Sequence, residues 1–133
     1  MKKLIFAIVF ILILVFAVKY AYNKFIDFNT TETAKNRVNS MLDNLKAGQE
    51  QEALCQWAVG APFMAVELMR KHTGAFDDFK REGGIYDSVE NYDIKDIKLV
   101  KDEGEIYTRV SCAINGEAHT MIVQKDTPIE WEE

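Results

Sequence analysis

In this 133-residue chain the side chains whose types and spacing best suit proton chemistry near neutral pH are Cys112 and His119, set either side of Asn115-Gly116. An imidazole within hydrogen-bond reach of a thiol lowers the thiol's pKa and produces a thiolate nucleophile. Imidazole alone can serve as acid or base. The competing reading is register, since a hairpin sets residues opposite one another whatever they are, and no third residue can be named to orient the ring. Cys55 supplies a second thiol. Cys55 and Cys112 either form one disulfide, closing a loop of about 57 residues worth roughly 4 kcal/mol in the chain-entropy model, or stay as two buried thiols. Asp77-Asp78 is an acidic pair, but one hard cation takes about six or more oxygens and no Asp-rich loop pattern continues there. No metal and no cofactor is therefore expected. His72 follows Arg70-Lys71 at the expected end of a helix, where the dipole favours cations. Tyr86, Tyr92 and Tyr107 read as ligand contacts or, more simply, as half-buried packing residues of strands.

The element that must position Cys112 and His119 is the stretch Glu105–Lys125. Two alternating runs flank Asn-Gly, the strongest short hairpin signal, because a two-residue type I′ turn needs positive φ at both central positions. The register then sets Ile114 opposite Glu117, Cys112 opposite His119, Val110 opposite Met121 and Thr108 opposite Val123. Ile106, Thr108, Val110, Cys112, Ile114, His119, Met121 and Val123 share the expected core face. Tyr107, Arg109, Ser111, Ala113, Ala118, Thr120, Ile122 and Gln124 form a wetter one.

Helices precede this hairpin. Asn29 and Glu32 predict an N-cap with an acidic partner, followed by a stripe of Val38, Met41, Leu42 and Leu45 closed by Gly48. Arg37 is expected off that stripe with the other charges. Gln49–Val59 predicts a second helix carrying Ala53, Leu54, Trp57 and Ala58. A third is expected to start at Pro62 and stop at Gly74. Gly83-Gly84 breaks the Phe76–Phe79 segment. From 85 to 100 the pattern is extended, and Ile94 and Ile97 break alternation as a β-bulge would. Asp102–Gly104 predicts a turn, and Asp126-Thr127-Pro128 leads to a last strand with Ile129 and Trp131 on one face.

The N-terminus has its own reading. Met1-Lys2-Lys3 precedes an uncharged apolar run, Leu4–Val18, and Lys19, Tyr20, Tyr22 and Lys24 suit a bilayer surface. As a helix, Leu4–Ala21 would reach about 27 Å, close to a hydrocarbon core. Residues 1–24 are expected to be a signal anchor, or alternatively a cleaved signal peptide, with 25–31 a juxtamembrane link and 32–133 the folded domain. An anchor places that domain outside the inner membrane, as a single-pass protein; cleavage makes it secreted. The formal charge of the whole chain is −5. Residues 1–24 hold four lysines and no acid, leaving 12 basic against 21 acidic side chains and −9. This makes nucleic acid or anionic lipid an unexpected partner for the domain surface. The expected partners are the membrane, an envelope protein or a small apolar ligand.

The fold class is α+β: two or three helices packed on a curved antiparallel sheet of about four strands. The order from Glu32 to Trp131, with Leu42, Leu45 and Gly48 ending the first amphipathic helix and Trp131 near the close, resembles the nuclear-transport-factor-two-like, cone-shaped α+β superfamily, in particular its small secreted or membrane-tethered bacterial members. The resemblance implies a helix across a concave sheet face and a pocket between them, here lined by Trp57, Val110, Cys112, His119 and Met121. Relatives similar to ketosteroid isomerases or polyketide cyclases would use a pocket acid or base, for which His119 is the candidate. Others bind or assemble without catalysis, which is the reading preferred here. A pilin-like or other structural subunit of an envelope machine is the remaining alternative, although the apolar run has neither the Gly nor the Glu of a pilin leader.

Overall fold

The computed structural model describes residues 1–85 and 88–132, so Tyr86 lies outside the described residues. The molecule is α+β, with three helices, the first long and apolar at its start, and one four-stranded antiparallel sheet. It divides into two compact units, Met1–Thr30 and Thr31–Glu133.

Helix α1 runs from Lys2 to Lys46 without a break. The start expected at Asn29 does not occur. No glycine or proline interrupts the sequence before Gly48, and the Thr30 hydroxyl donates back to the Ile26 carbonyl at 2.8 Å, a bond that keeps the turn helical instead of capping a new one. In the first unit the apolar side chains Leu4–Val18 are exposed to the surroundings. In the second unit the same helix buries Ala34, Arg37, Val38, Met41 and Leu42 and ends at Gly48, whose φ of +77 suits glycine.

Helix α2 covers Glu50–Ala58 and buries Ala53, Leu54, Cys55, Trp57 and Ala58. Helix α3, Val66–Glu82, departs from expectation at both ends. Pro62 sits in the preceding loop, and Gly74 is interior and exposed, with open space where a side chain would be. A solvent-facing glycine costs a helix only about 1 kcal/mol, and burial of Phe76 and Phe79 outweighs it. The helix stops at Gly83-Gly84, where the Ile85 amide reaches back to the Lys80 carbonyl at 2.9 Å.

Strands β1 (Tyr92–Asp102), β2 (Glu105–Ile114), β3 (Glu117–Val123) and β4 (Glu130–Trp131) lie side by side in chain order. The Asn115-Gly116 reversal has φ of 52 and 84, and the β2–β3 register is the expected one throughout. Register shifts between Ile94 and Asp96, so the bulge is present. Asn115 also ties down the segment before β1: its Oδ1 accepts from the Glu90 and Asn91 amides at 2.7 and 3.3 Å, and its Nδ2 donates to the Ser88 carbonyl at 2.9 Å. Thr108, Val110, Cys112, Ile114, Met121 and Val123 are buried as expected, whereas Ile106 is 56% exposed. Ile106 stands beside the Glu103-Gly104 turn, at the open tip of the β1–β2 hairpin.

Candidate functional site

The hairpin brings Cys112 and His119 together as cross-strand partners, but the surroundings work against a thiolate. Cys112 is buried in the core cluster, and burial pushes its thiol up to about 11. At neutral pH it is protonated and a poor nucleophile. His119 turns to other neighbours: its ring centre is 5.1 Å from that of Trp131, and Nε2 is 3.8 Å from the Glu117 carboxylate. The pairing is one of register.

The pocket expected on the inner sheet face is filled by its own lining. Val110 and Met121 have no accessible surface, and Cys112 and Trp57 are 2% and 3% exposed. Trp57 is fixed at both ends. Its Nε1 donates to the Ile129 carbonyl at 2.9 Å, its own carbonyl accepts from the Ile129 amide at 3.0 Å, and its ring packs on Phe76 and Phe79. Of the five pocket residues, His119 borders a shallow cleft of about 470 Å³ together with Glu82, Gly83, Ala118, Thr120, Trp131 and Glu132. There Trp131 lies flat on Phe79, ring centres 4.3 Å apart, and its Nε1 donates to the Phe79 carbonyl at 2.7 Å. Arg109 forks onto Glu132, Nε to Oε2 at 3.0 Å with a second contact from Nη2 to Oε1. The cleft combines carboxylates with aromatic walls, a surface that would attract cations.

The disulfide does not form: Cys55 and Cys112 are both buried free thiols. Cys55 meets the backbone of Met64 and its pKa is raised, first by burial, while Cys112 belongs to the inner face of the sheet. Asp77 and Asp78 are engaged with Lys80 at 3.3 Å and Arg81 at 3.7 Å, and no group of three or more metal-ligating side chains occurs among the described residues. His72 is interior to α3, edge-on to Trp57 at 6.2 Å, not in a last turn. Tyr92 donates to Asp43 at 2.6 Å, tying β1 to α1, and burial first, then that carboxylate, pushes its phenol pKa up. Tyr107 is half-buried.

Two buried cations were not anticipated. Arg37 is 6% exposed and makes four hydrogen bonds to main-chain carbonyls: Nε to Gln56 at 2.5 Å, Nη1 to Gln124 at 2.9 Å, and Nη2 to Trp57 and Thr127 at 2.6 Å each. It thereby joins α1, the end of α2 and the β3–β4 connection. Burial lowers its pKa to about 10, partly opposed by Asp126, so it stays charged at neutral pH. Its spacing with Ala34, Val38 and Met41 puts it within the helix stripe, which is the signal that could have revealed it. Lys80 is buried beside Glu50 at 3.1 Å and over the Phe76 ring. Both cations fasten elements together. Compared with known proteins, the chain matches no family model, no curated protein and no solved structure.

Proposed function

We propose that this protein is a membrane-tethered binding or assembly module of the cell envelope, without catalysis of its own. The observation that carries the reading is the first part of α1: an 18-residue apolar window near the N-terminus, long enough to cross a bilayer, in which no residue is buried. An apolar helix that finds no protein cover is at its lowest free energy in lipid. The packed inner sheet face supports the non-catalytic part, because it leaves no room for a substrate among Trp57, Val110, Cys112 and Met121. The order of helices and antiparallel strands is compatible with a cone-shaped domain of the nuclear-transport-factor-two-like kind. Tethering would act by confining the domain to the membrane plane and raising its effective concentration toward a neighbouring envelope protein or apolar ligand.

The test is topology mapping of the full chain, with a reporter active only outside the cytosol fused after Glu133 and carbonate extraction of the membranes. The expected result is an active reporter in the pellet. A reporter active only in the cytosol removes the envelope assignment, and release by carbonate removes the anchor.

A further inference from the structure

Within Thr31–Glu133 the exposed large apolar side chains among the described residues are Phe63, Val66, Leu68 and Ile106. Three of them fall in the single stretch Gly60–Leu68, GAPFMAVEL, whose only charge is Glu67. Phe63 is 80% and Val66 65% exposed, while Met64 between them is buried. An inward anchor thus holds its neighbour outward. Val66 begins α3, and Arg70 follows on the same helix face four residues later, with Lys71 beside it. Arg70 and Lys71 are exposed, and neither has an acidic partner among the described residues. An apolar projection backed by two free cations matches the layering of a bilayer surface, apolar below and phosphate above. The rest of the domain carries net negative charge and is repelled by an anionic membrane, so this is the face such a membrane would accept.

We propose that Phe63 and Val66, with Arg70 and Lys71 behind them, form a second lipid contact. The inference rests on the tethering reading and adds to it: this face of the domain supplies a lipid contact of its own beside the anchor. At about 1 kcal/mol per basic residue near an anionic surface, the two cations together shift the bound-to-free ratio of the projection by about 30-fold.

The full chain is reconstituted in vesicles of phosphatidylcholine with or without phosphatidylglycerol, carrying brominated acyl chains as quenchers. One form bears Phe63→Trp, another Phe10→Trp, and the unsubstituted chain gives the background of Trp57 and Trp131. Phe63 is so exposed that tryptophan there leaves the core untouched. The expected result is blue-shifted emission from position 63 that brominated lipid quenches, most strongly with phosphatidylglycerol, and that is largely lost in the Phe63→Trp form also carrying Arg70→Glu and Lys71→Glu. Quenching at position 10 but not at 63 overturns this inference and leaves the tether standing; no quenching at either position overturns both. A blue shift at 63 without quenching by lipid means the projection is covered by protein, and also overturns it.

Discussion

Replacing Gly83 with alanine tests how the two-residue strand β4 is fastened. Gly83 ends α3 at φ −83 and ψ 0, a conformation any residue adopts, so the backbone alone would favour alanine by about 0.4–1 kcal/mol through the unfolded chain. Space decides otherwise. A Cβ at this position would stand 2.7 Å from Cε2 and 2.8 Å from Cη2 of Trp131, and the indole cannot withdraw without leaving its stack on Phe79 and its hydrogen bond to the Phe79 carbonyl. Losing the bond costs about 1 kcal/mol, losing the stack about 1 kcal/mol, and residual overpacking about 1–3 kcal/mol. After the backbone gain, Gly83→Ala should destabilise by about 2–4 kcal/mol. With Trp131→Ala already in place the obstacle is gone, and the same change should be neutral or slightly stabilising. Urea unfolding of the full chain in detergent micelles, followed by fluorescence of the buried Trp57 in all four members of the cycle, reads both values. An equal loss in the two backgrounds, or none in either, would refute the reasoning.

Arg37→Met should cost about 3–5 kcal/mol, since four main-chain carbonyls lose a charged donor, and Arg37→Lys should restore little because an ammonium cannot fork; a thermal melt of the lysine form matching the parent would dismiss the clamp. Under non-reducing conditions a thiol reagent should find no reactive cysteine in the folded chain and both after denaturation, and finding neither after denaturation would mean a disulfide. Stability should be level with pH up to about 9 and decline toward 11. The unfolded thiol ionises first there, so the unfolded state binds fewer protons and stability falls as pH rises through the folded value of Cys112. The part due to this group is about 2–3 kcal/mol, and it should vanish in Cys112→Ala while persisting in Cys55→Ala. Thr108→Val should stabilise by about 1 kcal/mol, because Thr108 Oγ1 is buried with no partner among the described residues; a loss in chemical denaturation would show that a bound water satisfies it.

Local chemistry made some of this structure legible in the sequence. Asn115-Gly116 admits one tight reversal, and a period of two then assigns every side chain of β2 and β3, so the burial of Val110 and Met121 followed from the turn. Helix boundaries were less legible because punctuation was read without the tertiary gain beyond it: Gly74 is a weak stop that burial of Phe76 and Phe79 overrides, and Asn29 is a weak start that an uninterrupted helix passes through. The site was legible in placement and not in character. Register set Cys112 beside His119, but only the surrounding packing shows that the thiol is desolvated and the imidazole faces Trp131. Arg37 was hidden by its type, since the carbonyls that make its burial tolerable come from segments about 20 and 90 residues away.

The turn carries a chemical clock. An Asn-Gly step is prone to deamidation, because the unhindered glycine nitrogen attacks the side-chain carbonyl, expels ammonia and leaves aspartate or isoaspartate after water opens the ring. At Asn115 the amide is gripped at both ends by the 88–91 segment, which slows the cyclisation while the protein is folded. Once it has happened, an oxygen faces the Ser88 carbonyl where a donor used to be, so each molecule that opens long enough to age at this position returns with a weaker hold on the entry to its sheet.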